Sequence, residues 1–248
     1  MLFCIIFVGV LFMIIERLFP SKELPQVKGW WIRVAIINCI QCGILILSAN
    51  LWDKWFLNSS DWSFRRQFSP LVGGFIGYII MTFVFYWWHR VRHTNKFFWI
   101  TFHQLHHSPS RIETITSFYK HPAEIIANSL IISVFTLGIF GLNVEQIGWV
   151  NFFSALGEYL YHMNVTTPKW WGYFFQRPEM HQIHHQRGVH FYNFGDLPVW
   201  DMLFGTYKNP TEHTAPCGFK DARETKLKDM LLFRDVNPKN GSSFYPVK

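Results

Sequence analysis

The chain has 248 residues, enough for one domain with a sizeable core. Half of it is hydrophobic, 19% is aromatic and only 16% is charged, against about 25% charged in an ordinary soluble domain, a combination that points to lipid or to a large interface. The formal net charge of +7 suits an anionic membrane surface or nucleic acid; no nucleic-acid motif is present, and the membrane surface is preferred. Four cysteines make no disulfide framework, and the Cys39-x-x-Cys42 pair lies in an apolar run without neighbouring histidine or charge.

In chain order, Met1 to Ile15 is apolar and is followed by Glu16, Arg17 and Pro20. It has neither the basic start nor the small-residue cleavage site of a signal peptide, so it reads as a retained helix. Trp30 to Leu51 carries one charge, Arg33, and Pro70 to Trp88 carries none; each approaches the roughly 20 residues that span a bilayer. Ile125 to Tyr161 is apolar with a break at Gly141-Leu142-Asn143-Val144, the pattern of two helices that enter and return to one face. Basic residues at Arg17, Lys22, Lys28 and Arg33, and again at Arg90, Arg92 and Lys96, fall on one side in a simple alternation, which predicts that side to be cytoplasmic. Lys54, Arg65 and Arg66 on the opposite loop weaken that orientation. Trp30, Trp31, Trp52, Trp87 and Trp88 sit at the ends of apolar runs, the aromatic-belt position.

Twelve histidines carry the chemistry. His89-x-x-x-His93 follows the third apolar run, His103-x-x-His106-His107 comes ten residues later, and His181-x-x-His184-His185 repeats the second pattern far along the chain. Residues three and four apart share a helix face, so each motif is expected to aim two or three imidazoles at one point. Imidazole suits zinc, copper, iron and nickel. One straight helix over 89–107 would hold His89 and His106 roughly 25 Å apart, so a turn is expected at Thr94-Asn95. Eight imidazoles exceed the roughly four to six ligands of one metal, and two metals are the simpler reading. His121 and His162 emerge beside the fourth apolar region on the same face and are further candidates, with a capped or hydrogen-bonded structural role as the alternative. His190 and His213 read as structural or exposed. No H-E-x-x-H zinc-protease pattern and no Glu-x-x-His di-iron carboxylate pattern occurs.

As a set, His89-Arg90-x-x-His93, His103-Gln104-Leu105-His106-His107-Ser108, Tyr119-Lys120-His121-Pro122-x-Glu124, His162-x-Asn164, Pro178-Glu179-Met180-His181-Gln182-Ile183-His184-His185, Asn193-Phe194-Gly195 and Trp200-Asp201-Met202-Leu203-Phe204-Gly205-Thr206-Tyr207 resemble the fatty acid hydroxylase / sterol desaturase superfamily of membrane-bound di-iron enzymes. The resemblance covers roughly residues 70–208. It implies an all-α integral membrane helical bundle of about four spans or hairpins with a cytoplasmic, histidine-rich di-metal cap. Residues 1–69 match the family only in being membrane helices and 209–248 match nothing in it; the chain is read as N-terminal membrane helices over 1–69, a catalytic domain over 70–208 and a C-terminal cytoplasmic tail over 209–248. The resemblance implies that His89, His93, His103, His106, His107, His121, His162, His181, His184 and His185 hold two irons, and that Asn164, Asn193 and Asp201 act close to the cofactor. Read from chemistry alone, Asn193 and Asp201 are either hydrogen-bonding partners of ligating rings or a turn Asn and a capping Asp.

The activity implied is O₂-dependent hydroxylation or desaturation of a lipid C–H bond, with electrons from an external ferredoxin or cytochrome. No flavin, nicotinamide or haem motif is present. Arg90, Arg92, Lys169, Arg177 and Arg187 could dock an acidic donor, and Phe83, Phe85, Tyr86, Phe97, Phe98, Trp99, Phe102, Phe152 and Phe153 could line an acyl slot. Two rivals stand beside this reading: a membrane zinc hydrolase acting on lipid, and a metal transporter or sensor, which would need polar residues within the spans.

Overall fold

The computed structural model of the protein describes residues 1–59 and 68–237, and among these it is helical, with one isolated antiparallel bridge between Gln186 and Cys217. Arg65 and Arg66, which bore on the orientation, lie outside the described residues. Helix α1 (Leu2–Leu18) is followed by α2 (Trp30–Asn50), α3 (Trp52–Ser59) and α4 (Pro70–Thr94). A short helix α5 (Lys96–Phe98), a π-helical turn (Trp99–His103) and α6 (Gln104–His107) then run on without a break. Next come α7 (Pro122–Ser133), α8 (Val144–His162), α9 (Pro178–His184), α10 (Pro198–Leu203) and α11 (Leu227–Leu231).

Local chemistry sets the element ends. Proline fills the first helical position of α4, α7, α9 and α10, where its missing N–H costs nothing. The turn expected at Thr94-Asn95 is present: α4 stops there, and the Asn95 side chain accepts hydrogen bonds from Phe97 N and Phe98 N to start α5. The break at 141–144 is also present. Gly141 turns the chain at φ +59, and Asn143 and Gln146 form a capping box that opens α8. The stretch from Ile125 to Tyr161 is therefore a hairpin of α7 and α8, with His121 and His162 at its two free ends.

Among the described residues, three helical stretches are long and apolar enough to cross a membrane: Trp30–Phe56, Pro70–Thr94 and Pro122–Ile139. This differs from the expected four. The first apolar run is a helix of 17 residues, about 26 Å at 1.5 Å per residue, and α8 is diluted by Glu145, Gln146, Asn151 and Glu158. Helix α8 instead forms the spine on which others pack. The α4 glycines face it so closely that a Cβ on Gly73 would stand 2.3 Å from Gln146 Nε2, and one on Gly74 2.7 Å from the Gln146 carbonyl oxygen. Only small residues allow two helices to approach this far.

The described part of 209–248 is no detached tail. Phe219, Met230 and Val236 are buried with Trp30, Trp99, Leu105 and Tyr119 in one hydrophobic cluster, and Phe219 N and Gly218 N donate to the Ser108 and His185 carbonyls. The N-terminal strap is tied to the same end: Arg17 pairs with Glu113, Lys22 Nζ donates to Gln182 (2.8 Å), and Arg111 donates to the Pro25 carbonyl (2.7 Å). Both basic clusters of the sequence therefore stand on the histidine-bearing side.

Candidate metal centre

Nine of the ten histidines implied as ligands converge in two adjacent groups. His89, His93, His103, His107 and His184 form one; His106, His162, His181 and His185 form the other; within each group one ring nitrogen per residue lies within 4.8 Å of all the rest. Five elements deliver them. The last two turns of α4 carry His89 and His93, the π turn and α6 carry the first H-x-x-H-H motif, the end of α8 carries His162, and α9 carries the second motif. The two groups meet where the His107 and His185 rings stack with centroids 4.2 Å apart.

The expectation that each motif aims two or three imidazoles at one point holds for His89 and His93 and for two rings of each H-x-x-H-H motif, whose remaining ring joins the other group. In the first motif His103 and His107 join one group and His106 the other; in the second, His181 and His185 join one and His184 the other. On a helix with 3.6 residues per turn, position i+4 lies about 40° to one side of position i and i+3 about 60° to the other. A single H-x-x-H-H helix therefore serves two neighbouring centres.

The residues fit a pair of transition-metal ions. Four Nε2 pairs, His103–His107, His107–His184, His162–His181 and His181–His185, stand 3.0 to 3.2 Å apart. Imidazole nitrogens at about 2.1 Å from one metal and at right angles around it would stand about 3.0 Å from each other. His89, His162 and His184 each place Nδ1 2.8 Å from a backbone carbonyl, of Phe194, Glu158 and Tyr192 respectively. The proton must sit on Nδ1 to make that bond, which leaves Nε2 as a bare lone pair pointing inward. His89 Nε2 and both ring nitrogens of His93 are buried without a hydrogen-bond partner, an arrangement that costs about 1–3 kcal/mol per group unless a cation accepts the lone pairs.

Burial, followed by repulsion from neighbouring imidazolium or guanidinium charge, holds His103, His106, His107, His181 and His185 well below the usual histidine range. Burial also brings His184 down to about 3. The rings are thus neutral at physiological pH, the form that binds metal.

A ring of outer partners orients the imidazoles. Glu124, quoted in the sequence motif but given no role there, lies 3.3 Å from His103 Nδ1 and is ion-paired with the buried Arg92, whose Nη1 is 3.1 Å from the same nitrogen. The Gln176 amide stands 2.7 Å from His181 Nδ1. Asn193 does not touch the rings. It adopts φ +58, its side chain donates to the Met180 and Lys208 carbonyls (2.8 and 2.9 Å) and accepts from Lys208 N (2.8 Å). This left-handed turn presents the carbonyls on either side of it, Tyr192 to His184 and Phe194 to His89. Asp201 clamps the same loop by accepting from Phe194 N, Gly195 N and Thr206 Oγ1 at 2.7 to 2.9 Å; burial pushes its carboxyl up to about 6. Asn164 is further away in role: its backbone N–H donates to Glu16 and its side chain to the Lys22 carbonyl, tying down the N-terminal strap beside His162.

The tenth implied ligand, His121, lies in neither group. Its Nδ1 accepts from Ala123 N (3.0 Å) as the N-cap of α7, and its ring packs on Phe233 at 4.8 Å. Capping uses the Nδ1 lone pair and places the ring proton on Nε2, so neither nitrogen is free to bind a metal without breaking the cap. His190, read as structural or exposed, is buried with centroid distances of 5.0 Å to His107 and 5.2 Å to Trp99, and its Nδ1 faces the His184 carbonyl. His213 lies between Gln182 and Gln186. Of the basic residues considered for donor docking, Arg92 and Arg177 are buried in internal ion pairs with Glu124 and Glu179, and are unavailable. Of the aromatics considered for the acyl slot, Trp99 packs directly on His93 and His107, whereas Phe152 and Phe153 pack on Trp149 and on each other.

Residues 74–206 match the profile of the fatty acid hydroxylase family, just over half of the chain. The protein belongs to this family. It is 30% identical over 141 residues to an ornithine lipid hydroxylase of Rhizobium tropici, covering 54% of this chain and 41% of that one. It is 28% identical over 153 residues to a sphingolipid C4-hydroxylase of Schizosaccharomyces pombe (58% and 51%), and 27% identical over 158 residues to a very-long-chain aldehyde decarbonylase of Oryza sativa subsp. japonica (58% and 24%). The chain thus spans between 24% and 51% of the length of these curated relatives. No solved structure matches it.

Proposed function

We propose that this fatty acid hydroxylase family member is a membrane-bound di-iron oxygenase that hydroxylates or desaturates a C–H bond of a lipid, using O₂ and electrons from an external ferredoxin or cytochrome. The observation that carries the reading is the pair of buried all-imidazole groups, five and four rings, in direct contact with each other. In this reading His89, His93, His103, His107 and His184 hold one iron, and His106, His162, His181 and His185 hold the other. A catalytic zinc keeps three protein ligands and an open position; sets of five and four nitrogens favour iron over the zinc hydrolase. When bound, the irons supply the redox chemistry that attacks an unreactive C–H bond.

The chain's own residues bind, orient and keep the site dry. Neutral rings with their Nδ1 protons committed to the Phe194, Glu158 and Tyr192 carbonyls offer Nε2 at fixed angles. Phe194 stands against His89, His93 and His184 with centroids 5.3 to 5.6 Å away, and Trp99 covers His93 and His107. These buried rings exclude water from the first group. The printed activities of the relatives, on ornithine lipid and sphingolipid, support a lipid substrate here. The positive-inside rule, applied to Arg17, Lys22, Lys28, Arg90 and Lys96, supports a cytoplasmic metal side.

The test is a mass-spectrometric comparison of lipid extracts from cells with and without the protein, alongside metal analysis of protein purified without added metal. Gain of one oxygen or loss of two hydrogens, with about two irons per chain, is the expected result. Zinc without iron, together with turnover that does not need O₂, would overturn it in favour of the hydrolase.

A further inference from the structure

Helix α10 sits deeper than its place in a polar cap allows. Trp200 Nε1 donates to Thr82 Oγ1 at 2.9 Å, the Trp200 ring packs on Phe83 at 5.0 Å, and Phe204 packs on Trp87 at 4.8 Å. Thr82, Phe83 and Trp87 belong to α4, inside the run from Pro70 to Trp88 that carries no charge and crosses the membrane by length and composition. Thr82 precedes His89 by seven residues, about 10 Å along the helix axis. The chain after the second histidine motif therefore descends from the metal centre along the lipid-facing side of α4.

What α10 shows to the outside matches that depth. Val199, Met202, Leu203 and Phe204 are exposed, Leu203 at 66%, while its one charged residue, Asp201, is turned inward. The neighbouring segment 170–175, joined to this region by the bond from Tyr207 Oη to the Gly172 carbonyl (3.1 Å), contains no charge and exposes Trp170 and Phe174 at 62% and 64%. Lys169 and Lys208 are exposed at its border, where an ammonium can reach headgroups while the stem lies along apolar surface. Exposed apolar surface of this extent marks an interaction site, and its continuity with the lipid-facing surface of α4 decides which partner covers it.

We propose that α10 and the 170–175 segment form a monotopic membrane insertion, an edge of the cap sunk about 5–10 Å into the same leaflet, so that the loop carrying Tyr192 to Asp201 approaches the metal centre from within the lipid and not from water. The inference rests on α4 spanning the bilayer and is independent of the reaction catalysed.

The test uses the full chain in single-copy nanodiscs, with Cys4, Cys39 and Cys42 changed to Ser and the buried Cys217 kept. A nitroxide is attached after Leu203→Cys, after Phe174→Cys, and after Glu212→Cys as an exposed control. Power-saturation measurements then compare collisions with O₂, which partitions into lipid, and with a water-soluble nickel chelate. Positions 203 and 174 are expected to favour O₂ and position 212 the chelate. Chelate-dominated collisions at 203 or 174 would overturn the proposal. So would shielding from both reagents there, which would assign the surface to a second copy or another protein segment. Retained metal content in each labelled variant verifies that the fold is intact, and because the readout is collision rate, its failure is separate from any failure of the oxygenase reading.

Discussion

The two H-x-x-H-H motifs are identical in spacing, yet they stand on different supports. His103, His106 and His107 straddle a π turn and a four-residue helix continuous with α5; His181, His184 and His185 lie on and just after a seven-residue helix begun by Pro178. Each sends its i and i+4 rings to one group and its i+3 ring to the other, in opposite senses, so that each group takes rings from both motifs. The spacing alone creates the split. What differs is the bracing: the first motif leans on the pair of Glu124 from α7 and Arg92 from α4, the second on the carbonyl of Tyr192 and the Gln176 amide in loops.

The sharpest way to break this comparison is to remove one ring from each group. His106→Ala leaves three rings in the smaller group, and His184→Ala leaves four in the larger. Both are expected to abolish lipid oxidation, but His106→Ala should lose more metal, falling toward about one ion per chain by elemental analysis. Equal and complete retention in both variants would refute the assignment.

A smaller effect is expected from the braces. Glu124→Gln should weaken metal binding about 10–100-fold in chelator competition, because an amide cannot neutralise the buried Arg92 or hold His103 as a carboxylate does. Asn193→Gly keeps the left-handed backbone and loses only the side-chain bonds, whereas Asn193→Ala adds a conformational penalty of about 1 kcal/mol. The alanine variant should therefore unfold at lower temperature than the glycine variant.

Acidity sharpens the electrostatic side. His184 titrates near 3 in the fold and near 6.5 when unfolded, so the unfolded chain binds more protons between these values and stability falls as pH drops from about 6.5 toward 3. Asp201, raised to about 6, contributes the opposite slope between about 3.9 and 6, but the other buried imidazoles titrate in the same sense as His184 and outnumber it. Denaturant midpoints of metal-stripped protein at pH 7.5, 6 and 5 should decline in that order; a flat or rising series would contradict the burial of neutral rings.

The smallest effect is predicted for His121→Gln. Loss of an N-cap costs about 1 kcal/mol, measurable as a lowered melting temperature, while metal content should stay at its wild-type value. Loss of metal would restore His121 to the ligand set.

Much of this was legible in the chain itself. The turn at Asn95, the break at Gly141 to Val144 and the apolar runs follow from capping chemistry and hydropathy, which act over a few residues. The same local logic identified the histidine motifs, and it failed where a role depends on a distant partner. Glu124 carries no signal without knowledge that His103 and Arg92 meet it. Phe219, Met230 and Val236 lie in a segment too short and polar to declare itself part of a core. Phe204 gives no sign in the sequence that it packs on Tyr86 and Trp87 of α4.

Covalent backbone geometry makes side-chain periodicity a property of the sequence, so the sequence by itself determined which imidazoles share a helix and that their number exceeds the ligand set of a single metal. Only the tertiary structure decided which rings share a centre, which carbonyl holds each Nδ1 proton, and that His121 spends its lone pair on a helix end. Those outcomes depend on where remote segments pack, and an imidazole can become a ligand or a cap with the same residues on either side of it.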